Sequence, residues 1–388
     1  MRIPGTVEEL RQAADDFESE LHALKSGVVV PDYGWYPYSS LSALSLLADL
    51  SGDVYGDLVD SLRSESVADI GCGDGDLAVF FARCGCRVDA IDHAETNYNQ
   101  LRGVEALRRS LGVVAGIYDI DFNGRFELPR RDYGLALLLG ILYHLKNPFY
   151  VLETLASRAD WCYLSTRIAQ VTPGGRSRIE DEPVAYLLGA REANNDPTNF
   201  WIFSAAGLVR LLERAGWMVV AQSRLGCTEE SDPVRGEADE RIFLLAKSRV
   251  RHPELHVRAL DGWYEAEQDA FRWTAKRFAL EAALPLSEPA REFALRFFVP
   301  EVVAASGPVR LSCSIRGEAA GAIHCGSAEE LEFRGRFPAG TDAGATVRLD
   351  FTVESLFRAA GDDRELGVCV PLLDAGQRHL QRIPFRIS

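Results

Sequence analysis

From Val7 the apolar residues Val7, Leu10, Ala13, Phe17, Leu21 and Leu24 recur every three or four positions, the spacing of one helix face. Thr6-Val-Glu-Glu9 in front of them has the residues of a capping box. A first amphipathic helix is therefore predicted to about Ser26. Residues 31–40, PDYGWYPYSS, then crowd Tyr33, Trp35, Tyr36 and Tyr38 around two prolines, and Ser39 or Ser40 is placed to cap a helix through Leu50. Beyond Val67 the pattern changes to continuous apolar runs alternating with helical segments. The predicted strands are Val67–Ile70, the run ending at Asp92, Val113–Tyr118, Tyr133–Gly140 and Trp161–Thr166, with a helix from about Glu95 to Ser110. Such runs imply a parallel sheet buried on both faces. Asn147-Pro148 reads as N-cap and first helical residue. Ser204 reads as the cap of a helix through Ala215 that Gly216 ends. Trp217–Gln222 and Arg241–Lys247 flank a polar loop and read as an antiparallel pair.

After about Arg251 the strands become short and alternating. Phe278–Leu284, Glu292–Val299, Val309–Ile315, Thr346–Val353 and Leu366–Leu372 are separated by Gly, Pro, Ser and Asp turns, which predicts an antiparallel β-sandwich of one domain. The expected organisation is a helical cap over residues 1–55, a Rossmann-like α/β domain with a seven-stranded sheet over 56–248, and an all-β sandwich over 251–388. A chain of 388 residues agrees with more than one core.

Composition narrows the class. Hydrophobic content of 47% and charged content of 26% are those of an ordinary soluble globular protein. No apolar run is long enough to span a membrane, and MRIPGTVEEL lacks the apolar core of a signal peptide, so no membrane partner and a cytoplasmic address are expected. Eight scattered cysteines read as reduced and buried. A net charge of −15 argues against an extensive nucleic-acid surface. Composition says nothing of oligomeric state.

The candidate chemistry begins at the first predicted strand end. Val67 to Asp92 reads VADIGCGDGDLAVFFARCGCRVDAID: strand, glycine turn, helix, then a second strand ending in an acid. Gly71, Gly73 and Gly75 allow a tight turn and close backbone approach to a ligand. There is no GxxxxGK[ST], and Asp69-x-Gly71-x-Gly73-x-Gly75 is not the dinucleotide G-x-G-x-x-G. An acid before the first glycine suits a cationic ligand, and a second acid, Asp92, ends the next strand. A turn kept only for packing is the alternative.

This order resembles motif I of the class I S-adenosylmethionine-dependent methyltransferases. The resemblance implies S-adenosylmethionine as cofactor, held by Asp69, Gly71, Cys72, Gly73, Asp74, Gly75, Asp92, His93 and Gly140. It also implies an adenine acceptor at Asp119 or Asp121, with Asp119 preferred. Gly140-Ile-Leu-Tyr-His144 is similar to the branch that includes the bacterial tRNA wobble-uridine carboxymethyltransferases, a likeness spanning about residues 30–247. No lysine stands near Trp35 in sequence, the nearest before it being Lys25. That departure weighs against a carboxylated cofactor and favours ordinary methyl transfer.

His144 is either a base for an acceptor hydroxyl or a residue that bonds the backbone and shapes the pocket. Tyr143 is a wall residue with a cation–π option toward the sulfonium. Trp35, Tyr36 and Tyr38 either close over the site or pack the helical layer onto the main domain. Residues 167–199 form a polar insertion at the ligand rim, in which Arg167 and Arg176 either clamp an acceptor's anionic group or are solvated, and Asn199 is a further candidate. Trp263 and Trp273 either stack on sugars or pack internally. No HExxH or histidine-rich cluster occurs, so metal-independent transfer is expected. The favoured acceptor is a sugar or small-metabolite hydroxyl. A tRNA wobble uridine, or a binding scaffold with a vestigial domain, are the alternatives.

Overall fold

The computed structural model describes residues 2–28, 34–37, 40–252, 257–267, 270–284, 290–305, 307–325, 330–342, 345–358, 363–372 and 383–387. It divides into two compact units, residues 1–251 and 252–388.

In the first unit the elements are α1 (Val7–Gly27), α2 (Ser42–Ser51), α3 (Tyr55–Ser64), β1 (Ser66–Ile70), α4 (Asp76–Arg83), β2 (Arg87–Asp92), α5 (Arg102–Leu111), β3 (Ala115–Asp119), β4 (Tyr133–Leu139), α6 (Pro148–Ala156), β5 (Ala159–Ile168), β6 (Ala185–Leu187), β7 (Trp201–Phe203), α7 (Ala205–Arg214), β8 (Trp217–Gly226) and β9 (Glu240–Ser248). The sheet runs β3-β2-β1-β4-β5, all parallel. β9 then pairs antiparallel with β5, and β8 antiparallel with β9. This is the mixed Rossmann-like order expected. The β6–β7 hairpin is an addition that pairs with β5 at Ile168↔Phe203.

Apolar helix stripes bury both faces of the sheet. Phe17 and Leu21 of α1, Leu44 and Leu47 of α2, Phe80 of α4 and Leu107 of α5 pack on one side with Val67, Leu135 and Tyr163. Leu152 of α6 and Leu208 and Leu212 of α7 pack on the other with Ala136 and Leu138. Burial on both sides explains why β1 reads as an unbroken buried run rather than an alternation.

Local chemistry sets several boundaries. Thr6 Oγ1 accepts from Glu9 N at 3.2 Å, while Glu9 reaches back to Gly5 N at 2.6 Å rather than to Thr6. Asn147 Oδ1 accepts from Tyr150 N, and Ser204 Oγ from Gly207 N. Two predicted starts move. α2 begins after Leu41 with no side-chain cap, and Ser39 lies outside the described residues. α5 begins at Arg102 and not near Glu95, because Asn97 Oδ1 accepts from both Asn99 N and Leu101 N at 3.0 Å and holds residues 93–101 as a loop. Helix α3 was not anticipated.

The second unit comprises β10 (Val257–Ala259), β11 (Trp263–Glu267), β12 (Phe271–Thr274), β13 (Arg277–Ala283), β14 (Glu292–Phe298), α8 (Glu301–Ala304), β15 (Val309–Ile315), β16 (Glu318–Cys325), β17 (Glu330–Arg336), β18 (Thr346–Val353), β19 (Cys369–Pro371) and β20 (Phe385–Ile387). One antiparallel sheet is ordered β10-β13-β18-β15-β16. The other is β11-β12-β19-β14-β17, with β20 also on β14. Alternate residues of both sheets, Leu311 and Leu349 from one and Leu295 and Phe333 from the other, share a single core. Trp273 is buried in that core, and Trp263 packs edge-on against Phe278 with its indole N–H on Ala279 O at 2.8 Å. Trp273 is therefore a core residue, and Trp263 is half-buried with its ring packed on Phe278, in keeping with the packing option.

Candidate functional site

The carboxyl ends of β1, β2, β3 and β4 meet at one rim, where open α/β sheets bind ligands. β1 ends in the turn Gly71-Cys72-Gly73-Asp74-Gly75. All three glycines are left-handed, with φ of 71°, 57° and 82°. They differ in what a side chain would meet. A Cβ on Gly75 would stand 2.4 Å from Val104 Cγ2 and one on Gly71 2.9 Å from Ile141, whereas one on Gly73 meets nothing within 4 Å. Gly71 and Gly75 are required by packing against the protein, while Gly73 borders open space.

Four carboxylates surround this turn. Asp69 is buried and its Oδ2 accepts from Ala78 N at 3.1 Å, capping α4 from the preceding strand. Burial, reinforced by the charges of Asp92 and Asp76, pushes its pKa up to about 7. Asp74 is also buried. It accepts from Tyr36 N at 2.6 Å and from Asn99 Nδ2 at 2.5 Å. Asp76 pairs with Lys25 at 2.7 Å. Asp92 Oδ2 accepts from Gly73 N at 3.0 Å and Asn97 Nδ2 at 2.8 Å, and its Oδ1 from His93 N at 2.8 Å. Burial raises the pKa of Asp92 too. Three of a carboxylate's roughly four acceptor positions are thus filled, so Asp92 can take one further hydroxyl without rearrangement.

Asp119 lies beside Asp92 in the β2–β3 register and accepts from Ala94 N at 2.9 Å and faces His93 Nδ1 at 3.3 Å. Asp121 is exposed and folds back on its own turn through Asn123 N. The structure ties Asp119, not Asp121, to the loop after β2. Cys72 is buried, and burial raises its thiol well above the usual value. It packs in the turn as an inert thiol.

Gly140, at φ 77°, turns the chain out of β4 into a 3-10 turn over Leu142–His144. His144 Nδ1 stands 2.9 Å from Thr198 Oγ1 and 3.2 Å from Thr198 O. Burial lowers the pKa of His144, against opposing contributions from Thr198, Asp196 and Asp92, so its imidazole is neutral near pH 7. The Tyr143 ring lies 4.3 Å from the His144 ring, and the Arg241 guanidinium stands 5.8 Å from the Tyr143 ring centroid.

The insertion candidates separate. Arg167 is buried. It is spent on Asp239 at 2.7 Å and on the carbonyls of Asp232 and Arg235, so it fastens the 228–240 loop and is not an acceptor clamp. Arg176 stands exposed beyond the Pro173–Gly175 turn. Asn199 is buried, with Nδ2 on Ala193 O at 2.9 Å, and Phe200 N reaches Tyr143 O at 2.8 Å. These contacts bind the end of the insertion to the Leu-Tyr-His turn.

The aromatic lead-in also reaches the rim. Trp35 donates its indole N–H to Lys25 O at 2.8 Å, and the Lys25 ammonium lies 5.2 Å above the Trp35 ring. The expectation that no lysine stands close to Trp35 is therefore corrected: Lys25, ten positions away in sequence, stands over its ring. The Tyr36 ring is exposed and meets Tyr98 edge-on at 5.8 Å. Tyr38 lies outside the described residues. Asn97, Asn99, Asp76, Lys25, Asp196, Thr198 and Arg241 were not among the sequence candidates. Asn97-Tyr-Asn99, following the acid at strand end, was the one local signal available for them.

Residues 45–222 match the family model described as a methyltransferase domain. A ubiquinone biosynthesis O-methyltransferase from Bordetella avium is 26% identical over 137 residues, covering 34% of this chain and 55% of that protein. The chain therefore spans about half the length of that curated relative. Among solved structures, the N-terminal domain of EvdMO1 with SAH bound is 16% identical, covers 60% of this chain and 97% of its own, and gives a TM-score of 0.37. Full-length EvdMO1 is 12% identical, with 86% and 97% covered and a TM-score of 0.38. Among the described residues no helix is long and apolar enough to cross a membrane, and no group of three or more His, Cys, Asp or Glu is placed to hold a metal.

Residues 45–222 thus match a methyltransferase domain, a family that uses S-adenosylmethionine. The residues fit its cofactor on two counts. Open space beside Gly73 admits a ligand against the backbone, and buried Asp69 and Asp92, whose pKa values are raised, supply negative charge that an ammonium and a sulfonium would offset.

Proposed function

We propose that the chain transfers a methyl group from S-adenosylmethionine to the hydroxyl of a sugar or other small molecule, without a metal, in the cytoplasm. When bound, the cofactor supplies an activated methyl on a sulfonium sulfur. The residues of the chain orient and deprotonate. Asp92 takes a ribose hydroxyl, Asp119 and the loop after β2 border the adenine, and the Gly73 backbone lies against the bound molecule. His144 accepts the acceptor's proton as its oxygen attacks.

The observation that carries this reading is His144 itself. It sits at the β4 end with its pKa lowered by burial, so it holds a free lone pair near neutral pH, and a base of this pKa range is effective there. The wobble-uridine alternative calls for a cation to meet a carboxylated cofactor. Lys25 is close by, but Asp76 already pairs with its ammonium at 2.7 Å.

Calorimetry with S-adenosylhomocysteine, followed by transfer of labelled methyl to a panel of sugar and small-metabolite alcohols, tests the proposal. Micromolar binding with His144-dependent transfer to an alcohol is expected. Absence of binding at millimolar concentration would refute the domain's activity, and modified tRNA nucleosides as the product would move it to the wobble-uridine alternative.

A further inference from the structure

Three consecutive non-glycine residues, Ala193, Asn194 and Asn195, are left-handed, with φ of 46°, 69° and 56°. Each such residue costs on the order of 1 kcal/mol, so the segment is held by what surrounds it. Asn199 supplies the hold: its Nδ2 donates to Ala193 O at 2.9 Å and its backbone N–H to Asp196 O at 3.2 Å. The result brings Asp196 and Thr198 against the Leu-Tyr-His turn.

Thr198 Oγ1 lies 2.7 Å from Asp196 Oδ1, and the Thr198 N–H reaches the same oxygen at 2.9 Å. A carboxylate only accepts, so the hydroxyl spends its single proton on Asp196. Toward His144 Nδ1, 2.9 Å away, Thr198 Oγ1 can then only accept. The Thr198 carbonyl, 3.2 Å from the same nitrogen, is likewise acceptor-only. Both constraints put the imidazole proton on Nδ1 and leave the Nε2 lone pair free.

We propose that Asp196 and Thr198 are positioning residues that fix His144 as the Nδ1–H tautomer and aim Nε2 as the proton acceptor of the transfer. This rests on the methyl-transfer reading above. In that step the acceptor O–H bond breaks and its proton goes to Nε2. The oxygen's electron pair forms the new O–CH3 bond, and the C–S bonding pair stays on sulfur. The charged groups acting on His144 are Asp196 from the insertion, Asp92 from β2 and Arg241 from β9, with the Tyr143 ring alongside.

The test is the 15N imidazole spectrum of His144 in the full chain at pH 8, assigned by its disappearance in His144→Asn, which needs no acceptor. A protonated Nδ1 and unprotonated Nε2 are expected, and the opposite tautomer overturns the proposal. Kinetics with the alcohol found by the transfer assay supply the second arm. Thr198→Val should lower kcat about tenfold or more, the loss seen when the hydrogen-bond partner orienting a metal-bound histidine is removed, with the KM for S-adenosylmethionine unchanged. Thr198→Ser, which keeps the hydroxyl, should recover most of it. A Val variant as fast as wild type, or a Ser variant as slow as Val, overturns the positioning role. If His144→Asn transfers methyl at the wild-type rate, the base reading fails instead, even with the tautomer as stated.

Discussion

Replacing Asp69 by Asn should remove most of the pH dependence of the methyltransferase unit's stability between pH 5 and 8. Asp69 is 4% exposed, and burial lifts its pKa from 3.8 to about 7. An acid whose folded pKa is raised stabilises the fold fully below its unfolded value, and this contribution is lost as pH rises toward the folded value. Between pH 5 and 7 that loss is two pH units, or about 3 kcal/mol at 1.36 kcal/mol per unit. Asparagine keeps an oxygen for Ala78 N–H and does not titrate. The wild-type chain should therefore lose about 3 kcal/mol more than Asp69→Asn from pH 5 to pH 8. Urea unfolding followed at several pH values measures this. Because a two-unit chain need not unfold in one step, the relevant transition is the one that S-adenosylhomocysteine shifts to higher denaturant. The ligand's ammonium should relieve the same buried charge, so its affinity should rise with pH over this window in the wild type and less so in the variant. Parallel stability curves for the two proteins would refute the assignment of Asp69 as a buried, uncompensated acid.

Gly73→Ala should cost the apo fold only about 1 kcal/mol, for a left-handed non-glycine residue, yet weaken cofactor binding at least tenfold in calorimetry. Gly75→Ala, whose Cβ would collide with Val104, should lower the melting temperature instead. Asn97→Ala leaves Gly73 O and the N–H groups of Asn99 and Leu101 without this partner and removes one of the two donors to Asp92 Oδ2; at about 1–3 kcal/mol for each buried group left unpaired, it should cost several kcal/mol by denaturation and reduce cofactor affinity. Iodoacetamide at pH 8 should label Cys227 first by mass spectrometry, because the other seven cysteines are buried and the thiolate that reacts must be accessible.

Periodicity made the sheet legible because burial on both faces forces long apolar runs, and β1, β4 and β5 read directly as such. The caps at Asn147 and Ser204 were legible because their partners lie three residues away. α5 was misread for a converse reason. Residues 95–101 have acceptable helical composition, but Asn97 spends its amide on Gly73 O and Asp92, groups more than one helical turn away in the chain or across it. Tertiary hydrogen bonds outbid a weak local preference there. In the second unit β10, β11, β12, β16, β17 and β20 were missed. β10, β11, β12 and β20 are short, and alternation over three to five residues carries little signal; β16 opens, after Glu318, with the small residues Ala319, Ala320, Gly321 and Ala322, which blur its alternation.

The rim shows the same division in sharper form. Motif I and Asp92 could be found because one strand–turn–helix–strand unit carries them contiguously, and of its three glycines Gly73 borders open space. What polarises and closes the rim is assembled from separate stretches: Lys25 on α1 neutralises Asp76 and covers Trp35, Asn99 and Tyr36 N hold Asp74, and Asp196 and Thr198 face His144 across 54 residues of chain. No spacing rule relates such residues, since only the packing of the insertion and of the N-terminal helix onto the sheet brings them together. The acids differ in consequence: Asp76 has its cation, and among the described residues Asp69 has none. That asymmetry, invisible in the DxGxGxGD string, leaves the negative charge where a cationic cofactor can use it.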